Sequence, residues 1–204
     1  MRSIAIALVT MLAAACGAPS PPVTLRGDWP PEVRDYDEVV RDLTRATVLH
    51  AQYQEVLELS ATLKTPEWFA ARAIKDAETR GLVEPARSQR LVQAQADAAG
   101  PYEVELLVTT WDRRENDLNR GKKSIWRVVL IDDLGNEIEP LEIVKDKRPT
   151  FTIRADFPLY GDFATAYIAR FPRAKPVLGP SVKQVRLRMS SPRGGAELAW
   201  LAGP

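Results

Sequence analysis

Two hydrophobic periodicities divide the chain. After Pro30-Pro31, Val33, Tyr36, Val39, Val40 and Leu43 recur at three- and four-residue spacing, with Glu32, Arg34, Asp35, Glu38 and Arg41 between them. Such a stripe predicts a short amphipathic helix. From 49 to 63 the odd positions are apolar except Glu55, and the even ones are mostly polar. That alternation favours one strand; because Gln, Glu, Leu and Ala are good helix formers, a longer helix is the alternative. Thr65-Pro66-Glu67 then combines a hydroxyl N-cap, a first-turn proline and an acid, predicting a helix that turns Trp68, Phe69, Ala73, Ile74 and Ala77 inward and stops at Gly81. A second helix is expected from Glu84-Pro85 through Leu91 and Val92 to Ala99, closed by Gly100. The two make a helical hairpin over about 65–99.

From residue 101 the period changes to two. Tyr102, Val104, Leu106 and Val108 alternate with Glu103 and Glu105. Trp126, Val128 and Leu130 define one face of the next strand and Ile125, Val129 and Ile131 the other, so this strand is expected to be central. Asp132 to Asn136, with Gly135, reads as a turn leading back through Ile138, Leu141 and Ile143. Further strands are expected at Phe151–Ile153, at Phe163–Phe171, around Val185–Met189, and at Ala196–Trp200 after the turn Pro192-Arg193-Gly194-Gly195. Seven short strands with intervening turns predict a mainly β, α+β domain. The architecture resembles an antiparallel, immunoglobulin-like β-sandwich with an N-terminal helix and an inserted helical hairpin. It lacks the cysteine pair of true immunoglobulin domains and implies no function.

The amino-terminal segment follows different rules. Met1-Arg2-Ser3 is a short basic start, Ile4–Leu12 is apolar but for Thr10, and Ala13-Ala14-Ala15 precede Cys16, the single cysteine. A run this short is a secretory signal rather than a membrane span. The segment resembles the lipobox of bacterial lipoproteins, with Ala13 where that family usually has leucine. The resemblance implies cleavage before Cys16, diacylglycerol on its thiol and acylation of the new amine. Each buried CH₂ contributes about 0.8 kcal/mol, so one chain holds marginally and two or three hold almost irreversibly. The competing reading is ordinary cleavage after Ala15, which leaves an unpaired thiol in an oxidising compartment. Gly17-Ala18-Pro19-Ser20-Pro21-Pro22 cannot build a helix or a central strand and reads as a tether. The domain layout expected is therefore 1–15 signal peptide, 16–30 lipid-anchored linker and 31–204 one folded domain. With no aspartate after Cys16, the resemblance implies the outer membrane.

Charge removes several classes of function. Arg2 is the one charge in the leader, so the mature chain holds as many basic as acidic residues, 27 of the latter. Neither a nucleic-acid partner nor a polybasic membrane patch is supported by that balance. A lone cysteine leaves the domain to be held by its core alone, and 45% hydrophobic content suffices for one.

Candidate chemistry is sparse. His50 is the one histidine and there is no CxxC spacing, so no metal or cofactor is expected. No G-x-S-x-G elbow accompanies His50, which reads as a surface or structural histidine rather than a general base. Asp132/Asp133, Glu137/Glu139 and Asp112/Asp117 are the carboxylate pairs available to a glycosidase-like mechanism, though Asp132 and Asp133 suit a hairpin turn. The polar run 113–123 is long for a hairpin loop, and loops at a sandwich end often carry binding sites. Trp111, Arg113, Arg114, Arg120, Lys122 and Lys123 are its candidate binding residues, and Trp111 and Trp126 flank it as a potential aromatic platform for sugars or peptides. The chain is therefore expected to be a membrane-anchored, non-enzymatic binding or assembly module for an envelope protein or glycan. A carbohydrate-active or peptide-processing enzyme using carboxylates is the alternative, and a helper subunit lending a sheet edge to a larger complex is a third reading.

Overall fold

The computed structural model describes residues 21–51 and 53–203. The leader and Cys16 lie outside the described residues. Among the described residues, two antiparallel sheets and four α-helices make an α+β fold consistent with a sandwich. In chain order the elements are α1 (Tyr36–Leu43), β1 (Thr44–Ala51), β2 (Gln54–Lys64), α2 (Pro66–Thr79), α3 (Ala86–Ala98), β3 (Tyr102–Thr110), β4 (Arg127–Ile131), β5 (Glu137–Ile138), β6 (Glu142–Lys145), α4 (Thr150–Asp156), β7 (Thr165–Phe171), β8 (Gln184–Ser191) and β9 (Gly194–Leu201). The larger sheet has the order β1-β2-β3-β7-β6 and the smaller β5-β4-β8-β9.

Alternation along β3 explains the layering. Val104, Leu106 and Val108 are fully buried on one face, and Tyr167, Ala169 and Phe171 of β7 join them. Leu130, Leu187 and Trp200 face this layer from the smaller sheet and complete the core. The opposite face of the larger sheet is covered by helices, which is why Glu105 is buried although alternation alone would place it in water. Helix α1 is capped by Asp35, whose Oδ1 accepts from the amides of Asp37 and Glu38, and it buries Tyr36, Val39, Val40 and Leu43. In α2 the Thr65 hydroxyl accepts from Trp68 N at 3.3 Å and Pro66 sits in the first turn, as the sequence pattern requires. Trp68 stacks on Phe157, with centroids 6.1 Å apart and planes 5° from parallel. No helix among the described residues is long and apolar enough to cross a membrane.

Four expectations are corrected. Residues 49–63 are neither one strand nor a helix, but parts of the hairpin β1–β2. Thr44 pairs with Thr62 at one end and Ala51 with Gln54 at the other, and Tyr53 at the connection takes a left-handed φ of 65°. Alternation continues through a tight hairpin, so periodicity alone hides the reversal. Phe151–Ile153 belongs to α4, which begins after Pro149; Ile153 is buried and Phe151 exposed. Phe163 precedes β7 and is exposed, instead of opening the strand. Finally, β4 starts at Arg127, so Ile125 and Trp126 lie before it, although the strand is central as expected, paired with β5 and β8.

The sandwich has two distinguishable ends. Val23 pairs in parallel with Ala202, and buried Arg45 donates to the carbonyls of Pro21 at 2.7 Å and Ala199 at 3.0 Å. The chain therefore enters beside the end of β9, at the edge where Thr44, Lys64 and Tyr102 lie. The hairpin tips at Tyr53 and Gly194, and the connection after Thr110, are at the other end. Strand β2, eleven residues long, separates the two ends by roughly 35 Å at about 3.3 Å per residue.

Candidate functional site

The connection between β3 and β4 carries the candidate binding residues and is tightly pinned. Asn116 Nδ2 donates to Val108 O at 2.7 Å, and Tyr167 Oη donates to Asn116 Oδ1 at 2.8 Å. Trp126 Nε1 donates to Glu115 O at 2.8 Å, Ser124 Oγ bonds Asp117 Oδ1 at 2.7 Å, and Arg193 Nε reaches Glu115 Oε1 at 2.9 Å. Two short 3₁₀ turns, Arg113–Glu115 and Leu118–Lys123, complete it. Burial and the nearby Asp117 carboxylate push the Tyr167 phenol up to about 12, keeping it a neutral donor.

The predicted residues separate by environment. Trp111 is 72% exposed, whereas Trp126 is 4% exposed and belongs to the core, so the two tryptophans do not form one platform. Arg114 folds back on Asp112 at 2.7 Å, which holds that carboxyl at about 2, and Arg120 leans toward Asp117 at 3.7 Å. Lys122 lines a different cavity, between the sheets beside Trp126 and Leu141. Lys123 is exposed and in neither. Trp111 and Arg113 come together with Phe163, which hydrophobic alternation places in a strand but which precedes β7.

These three line a cleft of about 310 Å³ with Glu55 and Thr109 on its walls. The Trp111 amide donates to Val56 O at 3.2 Å, fixing the backbone under the indole. The Arg113 guanidinium lies 5.5 Å from the Phe163 ring centroid, a cation–π distance. Phe163, like Trp111, is 72% exposed. Among the described residues neither Arg113 nor Glu55 has an ion-pair partner, although Arg114, Arg120, Arg127 and Arg193 around them are all paired. Gly161-Asp162 before Phe163 was the available sign that the residue sits outside a strand.

A second polar cluster lies beneath the helices. Lys64, Glu103, Arg170 and Glu142 form one row across β2, β3, β7 and β6, joined at 3.2, 2.7 and 2.6 Å. Inside that row, Glu105 is fully buried and 2.9 Å from Lys64 Nζ. Among the described residues, neither Glu105 oxygen makes a well-aligned hydrogen bond to a basic group. Burial is the largest influence on it, and the carboxyl is raised to about 7 despite Lys64, with Asp146 adding to the rise. Asp146 moves the other way: although burial opposes it, Arg148 at 2.6 Å and the Glu105 carboxyl hold it low. Arg148 also binds Asp156 at 2.6 Å, and Arg72 meets the same carboxylate at 3.0 Å. The row and its neighbours lock α2 and α4 onto the sheet.

The carboxylate pairs have structural partners. Asp132 Oδ1 accepts from the amides of Leu134 and Asn136, as a turn residue should. Arg127 meets both Glu137 and Glu139. His50 is exposed near the end of β1. Among the described residues, no group of three or more His, Cys, Asp or Glu side chains is placed to hold a metal ion.

No family model matches the chain, and no curated protein matches its sequence. A solved structure described as a novel protein of unknown function from Burkholderia pseudomallei K96243 is similar with a TM-score of 0.37 at 11% identity, covering 80% of each chain.

Proposed function

We propose that this chain is a lipid-anchored envelope protein that works as a non-enzymatic binding module, held by Cys16 at the outer membrane and presenting the Trp111 end of its sandwich to a partner. The observation that carries this reading is the opposition of the two ends. The chain enters at Pro21 and Val23, tied to Arg45 and Ala202, while the exposed Trp111–Arg113–Phe163 cleft lies at the far end of β2 and β3. A tether on the first end directs the second away from the lipid surface. In this reading the two antiparallel sheets form an immunoglobulin-like sandwich that serves as a rigid spacer.

Two measurements test this. Mass spectrometry of the mature protein should find an acylated, diacylglycerol-modified Cys16 at its amino terminus; an unmodified Cys16 contradicts the anchor. Cys16→Ser should move the protein from the membrane to the soluble envelope fraction, while Trp111→Ala should leave it on the membrane and abolish partner capture.

A further inference from the structure

We infer that the cleft formed by Trp111, Phe163, Arg113 and Glu55 binds an oligosaccharide, with one pyranose ring against the indole of Trp111. This rests on the reading of that end as the binding face and names its ligand class.

Size comes first. At about 310 Å³ the cleft is at the small end of ligand pockets, which run from about 300 to 1,000 Å³. A stable protein partner needs roughly 800 Å² on each side, far more than two exposed rings and their immediate neighbours supply. The cleft therefore suits one or two sugar rings better than a protein surface.

Chemistry points the same way. A pyranose presents an apolar C–H face and a rim of hydroxyls, and so needs an aromatic plane with donors and acceptors beside it. Trp111 and Phe163 give the planes. Arg113 supplies N–H donors, Glu55 an acceptor and Thr109 a hydroxyl of either kind. Among the described residues neither the cation nor the carboxylate has an ion-pair partner, the guanidinium meeting only the Phe163 ring, while the neighbouring arginines are all paired. An anionic lipid surface would call for several unopposed cations; here Arg113 is balanced by Glu55. A phosphate ligand would want a glycine-rich loop or the N-terminus of an α-helix, and among the described residues neither lines the cleft, where Arg113 opens only a single 3₁₀ turn.

Rigidity strengthens the case. The Trp111 amide is bonded to β2, and the following turn is tied down through Asn116, Glu115 and Trp126. The platform is thus set before ligand arrives, which lowers the ordering cost of binding.

The test uses the full chain, reconstituted in lipid nanodiscs, titrated with three linear tetrasaccharides: a neutral glucan, an N-acetylhexosamine oligomer and a uronate oligomer. Trp68, Trp126 and Trp200 are buried and Trp29 is half-buried beside the chain entry, so the part of the tryptophan emission change that Trp111→Ala removes is the signal from Trp111; calorimetry gives the affinity. At least one tetrasaccharide should bind with Kd below ~1 mM, and Trp111→Ala or Phe163→Ala should each weaken it about tenfold or more. Arg113→Gln should weaken it severalfold, whereas Val92→Ala on the exposed face of α3 should not. Absence of binding by all three, or binding indifferent to Trp111→Ala, overturns the proposal. Failure of the anchor shows separately, as protein that does not co-isolate with the nanodiscs, and the titration on free protein then decides the sugar alone. If no sugar binds but Trp111→Ala still abolishes crosslinking to an envelope protein, the glycan is overturned and the binding end is kept.

Discussion

Lys64 Nζ lies 2.9 Å from Glu105 Oε2 beneath the helices, and burial nevertheless holds the Glu105 carboxyl at about 7. The desolvation of a fully enclosed carboxylate outweighs one ammonium that is shared with Glu103. Among the described residues, Lys64 from β2, Glu103 from β3 (the strand of Glu105 itself), and Asp146 and Arg148 from the segment after β6 are the charged groups around it.

A pH dependence follows from this geometry. Glu105 is raised from an ordinary 4.5 to about 7, so the folded state binds its proton more tightly than the unfolded chain does. Its contribution is full below pH 4.5 and is lost as pH rises through 7, by at most about 3 kcal/mol. Asp146, Glu103 and Asp76 are held low and act oppositely, losing their contribution as pH falls through the acid range. Denaturant midpoints should therefore decline between pH 5 and 7.5. Glu105→Gln should remove most of that decline while leaving the acid-side loss unchanged; a variant that follows the wild-type curve would refute the assignment to Glu105.

Arg45 should prove sensitive even to lysine. Its guanidinium donates to the carbonyls of Pro21, Asp42, Thr44 and Ala199, all from one buried position, and burial lowers its pKa. A planar fork can reach this set, whereas a single ammonium cannot. Arg45→Ala is expected to cost about 2–4 kcal/mol by leaving carbonyls unpaired, and Arg45→Lys should recover little of it. Because Val23 N donates to Leu201 O and Gly203 N to Val23 O nearby, these two amides should lose hydrogen-exchange protection in both variants.

The two tryptophans beside the β3–β4 connection should behave in opposite ways. Trp111→Ala removes an exposed ring with its backbone bond intact, so stability should change by less than about 0.5 kcal/mol while ligand capture falls. Trp126→Ala opens a cavity and leaves Glu115 O without its indole donor, at a cost of about 3–5 kcal/mol. Thermal melts of both variants, run with the binding assay, separate platform from core.

Much of the fold was legible because local signals and burial agree. Thr65-Pro66 announced α2, Asp132 and Gly135 the turn after β4, and alternation the core face of β3. The failures have physical causes. Alternation cannot report a reversal such as that at Tyr53, and it assumes that the second face of a strand meets water. Helices on the larger sheet break that assumption at Glu105. Of the site, Trp111 and Arg113 were visible as residues of a long polar connection, but Phe163 was not. It comes from 50 residues further along and reaches the cleft only because β7 pairs with β3 at Val108 and Thr165. Such a junction is set by topology, which no local pattern carries.

Trp200 offers the sharpest test of how the two sheets are joined. Its indole is fully buried in β9, and Nε1 donates to Leu43 O at 2.7 Å, the last residue of α1 before β1 begins. That bond satisfies a helix C-terminal carbonyl and fastens the edge of the smaller sheet to the helix layer over the larger one. Trp200→Phe keeps most of the apolar bulk but leaves the carbonyl unpaired, so it should cost about 1–3 kcal/mol. Trp200→Ala adds a cavity and should cost about 3–5 kcal/mol. If Leu43 O is the partner that matters, the Phe variant should also loosen the first amides of β1 in hydrogen exchange while the β4–β5 turn keeps its protection. Equal loss of protection in both places would mean that Trp200 acts through packing alone.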